Sequence, residues 1–217
     1  MDRFLITSEN ESIRHLSSRD KRLAKVIQTI GDIECSVQGD PFEFVVGEIV
    51  GQMLSNKVAD VITDRLIDLC GGKICLETIL KLEVPDLRGI GISQAKSQYI
   101  LNFADAVNSG QIVFSELEEL QDKDVMKKMM SIQGIGSWTS KMYLLFVLQR
   151  PNVLPFEDGA FIQAYKWLYK TDDVKPESVK KKCKKWSPYS STAARYLYRA
   201  LDCGLTKQEF HLFKKEM

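Results

Sequence analysis

Apolar residues recur at three- and four-residue intervals along most of the chain, the period of amphipathic helices rather than of strands. Leu23, Val26, Ile27 and Ile30 mark a helix over Ser18–Ile30 that stops at Gly31. Asp40-Pro41 has the form of a helix start, Asp as cap and Pro in the first turn, and that helix continues through Phe42–Met53. Lys57–Cys70 repeats Val58, Val61, Ile62, Leu66 and Leu69 and ends at Gly71-Gly72. A short helix over Leu76–Leu82 ends before Pro85, and Ser93–Val107 carries Ala95, Tyr99, Ile100, Phe103 and Val107 on one face. Ser115–Leu120 and Asp122–Met130 run from acidic to basic, as the helix dipole prefers. Ser137–Leu148 is apolar nearly all round and reads as the central buried helix. Asp158–Tyr169, Glu177–Trp186 and Ser190–Asp202 follow, with Thr206 as cap of a final turn. Strand-like alternation is confined to Gln111–Phe114, so the expected fold class is all-α.

Composition narrows the function classes. With 217 residues, 44% hydrophobic and 27% charged, the chain is an ordinary globular mixture, one large domain or two small ones. Thirty Lys+Arg against 29 Asp+Glu leave a net charge of +1, so a nucleic-acid partner has to be argued from local sites. No stretch approaches the roughly 20 apolar residues of a membrane span. Met1–Asn10 lacks the order of a secretory signal, and an intracellular protein with no membrane partner is expected. The five cysteines are odd in number and form no C-x-x-C pair, which suits free thiols and disfavours structural zinc or a four-cysteine cluster. His15 and His211 lie near no metal or triad constellation, so no metal site is expected.

Ile132-Gln133-Gly134-Ile135-Gly136 sits between two helices. Gly134 and Gly136 allow positive φ, so the chain can reverse within a few residues. Successive N–H groups then point outward at the start of Ser137–Leu148, where the positive helix end could hold a phosphate without side-chain charge. A plain helix–helix connection is the alternative. Leu87–Lys96 echoes the segment as a second Gly-Ile-Gly turn.

The wider pattern is more specific. Met129-x-x-Ile132-x-Gly134-Ile135-Gly136-x-Trp138-Thr139-Ser140, an apolar helix, then Leu154-Pro155-Phe156-Glu157-Asp158 resembles the helix–hairpin–helix DNA glycosylase superfamily, in its alkylation-repair branch. Gly51-Gln52-Met53-Leu54-Ser55, Leu87-Arg88-Gly89-Ile90-Gly91-Ile92-Ser93 with Lys96, and Trp186-Ser187-Pro188-Tyr189-Ser190-Ser191-x-Ala193 fit the same branch in the same order, from about residue 42 to 201. Two positions depart from it: Gln133 replaces the usual Pro of the hairpin, and Ser140 a usual Ala.

The resemblance implies two helical lobes, residues 41–149 with the hairpin and residues 1–40 with 150–217, and a DNA-binding cleft between them. It implies a monofunctional glycosylase that flips out alkylated purines such as 3-methyladenine and hydrolyses the N-glycosidic bond, leaving an abasic site in base excision repair. Asp158, 20 residues beyond Trp138, takes the place of the catalytic acid, with Glu157 its neighbour and a helix cap its structural alternative. Trp138 and Tyr198 stand as walls for the flipped base, Tyr143 and Tyr189 as weaker candidates, and Trp167 and Trp186 as packing. Met53 takes the wedge position, Gln52 reaches for the opposite strand, and Gly134, Gly136, Ser137 and Thr139 bind the DNA backbone.

Relatives that also nick the strand place a lysine two residues after the second glycine; here that residue is Trp138, so no lyase activity is expected. The resemblance implies no organic cofactor and allows a monovalent cation on the hairpin carbonyls. The expected partner is double-stranded DNA containing alkylated bases, bound by a monomer in the cytoplasm or nucleoid of a bacterium or the nucleus of a eukaryote. Two other readings stay open: a non-catalytic helix–hairpin–helix DNA-binding module, and an enzyme for oxidised or mismatched bases, the latter weakened by the missing lysine and cluster. The Lys175 and Lys180–Lys185 run is either a solvated face or an auxiliary phosphate contact.

Overall fold

The structure, a computed structural model, describes residues 3–212. It is all-α apart from one small antiparallel strand pair, and it divides into two compact units, residues 38–148 and residues 3–37 with 149–212. Among the described residues no helix is long and apolar enough to cross a membrane, and no group of three or more His, Cys, Asp and Glu is placed to hold a metal ion.

The unit of residues 38–148 holds α3 (Pro41–Gly51), α4 (Asn56–Leu69), α5 (Leu76–Ile79), α6 (Val84–Gly89), α7 (Gln94–Asn108), α8 (Phe114–Glu119), α9 (Asp122–Met130) and α10 (Ser137–Met142), which runs on into a π-helical turn over Tyr143–Val147. The Asp40 carboxylate accepts the Phe42 and Glu43 N–H groups, so the start of α3 is set by its own cap. α3 buries Phe42, Val45, Val46, Ile49 and Val50, and the Phe42 ring stacks on Phe103 of α7 at 5.3 Å. α7 begins at Ser93, whose hydroxyl accepts the Lys96 N–H.

Three expectations change here. Gln111–Phe114 forms no strand: the Ile112 N–H closes back on the Ala106 carbonyl, and Phe114 already opens α8. The short helix expected over Leu76–Leu82 ends earlier, at Ile79, and Pro85 beyond it sits in the first turn of a further helix, α6, where its missing N–H costs nothing. The apolar stripe of α4 is mostly unburied: Val58, Val61 and Leu69 are exposed and Leu66 alone of that helix is buried. Periodicity gives a helix its stripe; whether a neighbour covers the stripe is decided elsewhere.

The other unit contains β1 (Arg3–Ile6) and β2 (Ile33–Ser36), paired antiparallel with Phe4 opposite Cys35 and Ile6 opposite Ile33. Neither strand was expected: Phe4-Leu5-Ile6 is apolar without alternation, and the pairing joins two segments that no local pattern links. The helix expected over Ser18–Ile30 is two, α1 (Glu11–Arg19) and α2 (Lys21–Ile30), split at Asp20, which caps α2 by accepting the Arg22 and Leu23 N–H groups. Asp158 caps α11 (Gly159–Tyr169); α12 (Pro176–Cys183) tightens to a 3-10 turn over Lys184–Trp186 before α13 (Ser190–Asp202). The final turn, Leu205–Lys207, is entered through Gly204 at φ +72° rather than capped by Thr206.

Asp20 is the polar centre of this unit. It is 2% exposed, and its second oxygen accepts from the Tyr169 hydroxyl, from Trp186 Nε1 at 2.9 Å and from Lys185 Nζ at 3.0 Å. One carboxylate so ties α1 and α2 to α11 and the 3-10 turn. Buried charge is tolerated because its lone pairs are all used.

Candidate active site

In the unit of residues 38–148 the candidate residues lie on two turns and one helix face. Ile132 and Ile135 are buried and anchor the hairpin between α9 and α10, and the Ile135 N–H returns to the Ile132 carbonyl at 3.1 Å. Gly134 adopts φ +97°, but Gly136 does not need glycine's freedom: its φ is −101°, and a side-chain carbon there would meet no atom within 4 Å. Only the first of the two glycines is required by the chain's own conformation. The helical ladder of α10 begins with the Ser140 N–H on the Gly136 carbonyl, so the amides of its opening turn lie ahead of any intrahelical acceptor.

α7 supports this hairpin with residues spaced three apart. Tyr99 packs against Gly134, and Asn102 donates to the Gln133 side-chain oxygen at 3.3 Å. Gln133, standing where Pro is usual, is thus held from the side. One turn earlier, Lys96 Nζ donates to the Val50 carbonyl at 2.8 Å and to the Gln52 carbonyl at 2.5 Å, closing the C-terminal end of α3.

Beyond α3 the chain makes a tight turn. The Leu54 N–H bonds the Gly51 carbonyl, Gln52 has φ −48° and ψ 126°, and Met53 has φ +60°. These are the angles of a type II turn with methionine in the position that glycine or asparagine normally takes, at a cost of about 1–2 kcal/mol. Met53 is 101% exposed, so it is not a core methionine at a helix end. Gln52 does not extend outward: its Nε2 donates to the Gly134 carbonyl at 3.0 Å and the Thr139 hydroxyl at 3.3 Å. Thr139 is itself buried, so its side chain serves the fold, while Ser137 and Trp138 are partly exposed at the start of α10. Tyr143, expected as a base-binding wall, is 1% exposed and stacks on Phe114; burial pushes its hydroxyl pKa up, with Glu118 adding to the rise, and it is a core residue.

The remaining candidate residues belong to the other unit. Asp158 accepts the Phe161 N–H at 2.7 Å as cap of α11, and its loop is pinned to α13. The Ser191 hydroxyl donates to the Arg150 carbonyl and accepts the Val153 N–H; the Ser190 hydroxyl donates to Asn152 Oδ1; and Asn152 Nδ2 donates to the Ser187 hydroxyl. The Trp-x-Pro-Tyr-Ser-Ser segment therefore positions the loop that carries Asp158, a relation that spacing alone did not reveal. Tyr198 is half-buried on α13, Tyr189 meets His15 edge-on, Trp186 is fully buried, and Trp167 donates to the Gln208 carbonyl. In the lysine run, Lys185 pairs with Asp20, Lys182 lies over Tyr169, and Lys180 lies over Phe156. Half of that run thus has work inside the fold.

Residues 46–188 match the HhH-GPD superfamily of base excision DNA repair proteins. The chain belongs to that superfamily. Its relatives include YfjP of Bacillus subtilis, 35% identical over 71% of this chain, of whose length the chain spans only 56%. It is 28% identical to DNA-3-methyladenine glycosylase 1 of Schizosaccharomyces pombe over 90% of this chain and 89% of that one. Among solved structures it is similar to a DNA-3-methyladenine glycosidase from Bacillus halodurans, with a TM-score of 0.81 and 30% identity over 98% of this chain and 97% of that one. It shares the fold of the S. pombe 3-methyladenine DNA glycosylase in complex with abasic DNA, with a TM-score of 0.78 and 24% identity over 89% of this chain and 97% of that one.

Proposed function

We propose that this chain is a monofunctional DNA glycosylase that binds duplex DNA, everts alkylated purines such as 3-methyladenine and hydrolyses their N-glycosidic bond. The observation that carries the reading is Asp158, a carboxylate fixed by its cap bond and a pinned loop in a chain of the base excision repair superfamily. When the C1′–N bond breaks, its electron pair leaves with the base. A base methylated on a ring nitrogen is cationic and departs neutral, and positive charge passes to the sugar. A preorganised carboxylate stabilises that charge, water adds at C1′ and gives up a proton, and an abasic site remains.

In this reading Met53 fills the vacated stack, Trp138 and Tyr198 face the everted base, and the amides at Gly134, Gly136 and Ser137 take a backbone phosphate. A monovalent cation on the hairpin carbonyls is compatible with it. Trp138, two residues beyond Gly136, offers no amine, and Lys141 is buried; both support hydrolysis without strand nicking.

The test is release of 3-methyladenine from methylated duplex DNA in buffer with chelator, for the native chain and Asp158→Asn. Release by the native chain alone is expected, with no borohydride-trapped DNA adduct. Equal release by both proteins removes Asp158 from the chemistry, and DNA binding without any release favours the non-catalytic module.

A further inference from the structure

The Met53 turn carries a contradiction that its surroundings resolve. A fully exposed methionine on a strained turn should relax its backbone and sample many positions, because nothing around the side chain rewards the positive φ. Yet the turn is gripped on both sides of Met53. Lys96 places its ammonium between the carbonyls of Val50 and Gln52, groups that the end of α3 leaves without helical partners. The Gln52 side chain reaches the other way, onto the Gly134 carbonyl and the Thr139 hydroxyl of the hairpin. Lys96 and Tyr99 share one face of α7, so the helix that grips the turn also packs against Gly134.

We propose that Lys96 and Gln52 are positioning residues that lock the Met53 turn to the glycine hairpin, so that the methionine is presented as a rigid plug for the base stack. This rests on the glycosylase reading. A flexible side chain entering DNA loses rotamer and backbone freedom at that moment; a turn already held loses less. The two clamps also fix the distance between the plug and the amides that hold the phosphate, which sets where along the duplex the plug enters. If Lys96 merely capped α3, removing it would weaken the fold without regard to Met53.

The deciding experiment compares Lys96→Met and Gln52→Leu in two backgrounds, native and Met53→Ala. One readout is base release from methylated duplex. The other is 2-aminopurine fluorescence beside a tetrahydrofuran abasic analogue, which reports plug insertion without any cleavage. In the native background each substitution should slow release about tenfold, within the coupling range of contacting residues, and reduce the insertion signal. In the Met53→Ala background neither should have further effect, and Lys96→Arg, which keeps the donors, should recover most of the rate. Equal losses in both backgrounds, or no loss in the native one, overturn the proposal. Should Lys96→Met fail to fold, Gln52→Leu decides alone. A native chain that releases no methylated base overturns the glycosylase reading, and the insertion signal then still judges the clamp.

Discussion

Tyr99 lies so close over Gly134 that a side-chain carbon at Gly134 would fall 2.1 Å from Tyr99 Cγ. The glycine is demanded twice, by this contact and by its φ of +97°. Gly134→Ala should therefore destabilise the protein by about 2–5 kcal/mol, the sum of a left-handed backbone penalty and overpacking. Gly136→Ala faces neither demand and should leave the melting temperature nearly unchanged while weakening DNA binding, because the added methyl stands where a phosphate is proposed to approach. Thermal melts and anisotropy titrations on an abasic-analogue duplex separate the two effects. A Gly136→Ala variant with native affinity would remove that phosphate from the hairpin.

Asp158 does two jobs that substitutions can divide. Asn is as good a helix cap as Asp, so Asp158→Asn should fold with native stability and lose at least a hundredfold in base release. Asp158→Ala should lose the same activity and about 1 kcal/mol of stability as well. Denaturant unfolding alongside single-turnover release checks both. A stable Asp158→Asn that is fully active would leave only the cap.

Met53→Gly should be more stable than the native protein by about 0.5–1 kcal/mol, since glycine accepts the positive φ without strain. It should also be a poorer enzyme on duplex DNA. A gain in melting temperature paired with a loss of rate is the signature of a strained residue kept for function. If stability falls, the turn is not strained at Met53.

Asp20 makes stability depend on pH. Burial would raise its carboxyl pKa, but hydrogen bonds from Tyr169, Trp186 and Lys185 outweigh burial and hold it below its ordinary value of 3.8. A folded value below the unfolded one stabilises the fold above pH 3.8, and that stabilisation is lost as pH falls through the folded value. Asp20→Asn should cost about 1.5–3 kcal/mol at neutral pH. The gap to the native protein, followed by circular dichroism, should close in acid. A gap that stays constant with pH would mean the charge of Asp20 carries none of it.

Much of this molecule was legible as local code. Asp40 before Pro41, Ser93 before its apolar face, and Gly134 between two isoleucines each state a local geometry, because caps, fixed φ angles and left-handed turns are satisfied within a few residues of chain. That Asp158 caps the helix after it was legible in the same way, whereas its place in the chemistry rests on the family resemblance. What the linear order could not disclose are the relations between distant segments. Lys96 meets carbonyls more than forty residues away, Ser190 and Ser191 pin a loop that precedes them by more than thirty, and Asp20 gathers donors from beyond residue 160. Tyr143 and Thr139 read as site residues yet lie buried, and the valines of α4 read as core yet lie exposed. A periodic pattern states which side of a helix is apolar. Packing decides what, if anything, that side touches, because burial is a property of two surfaces and the chain writes them far apart.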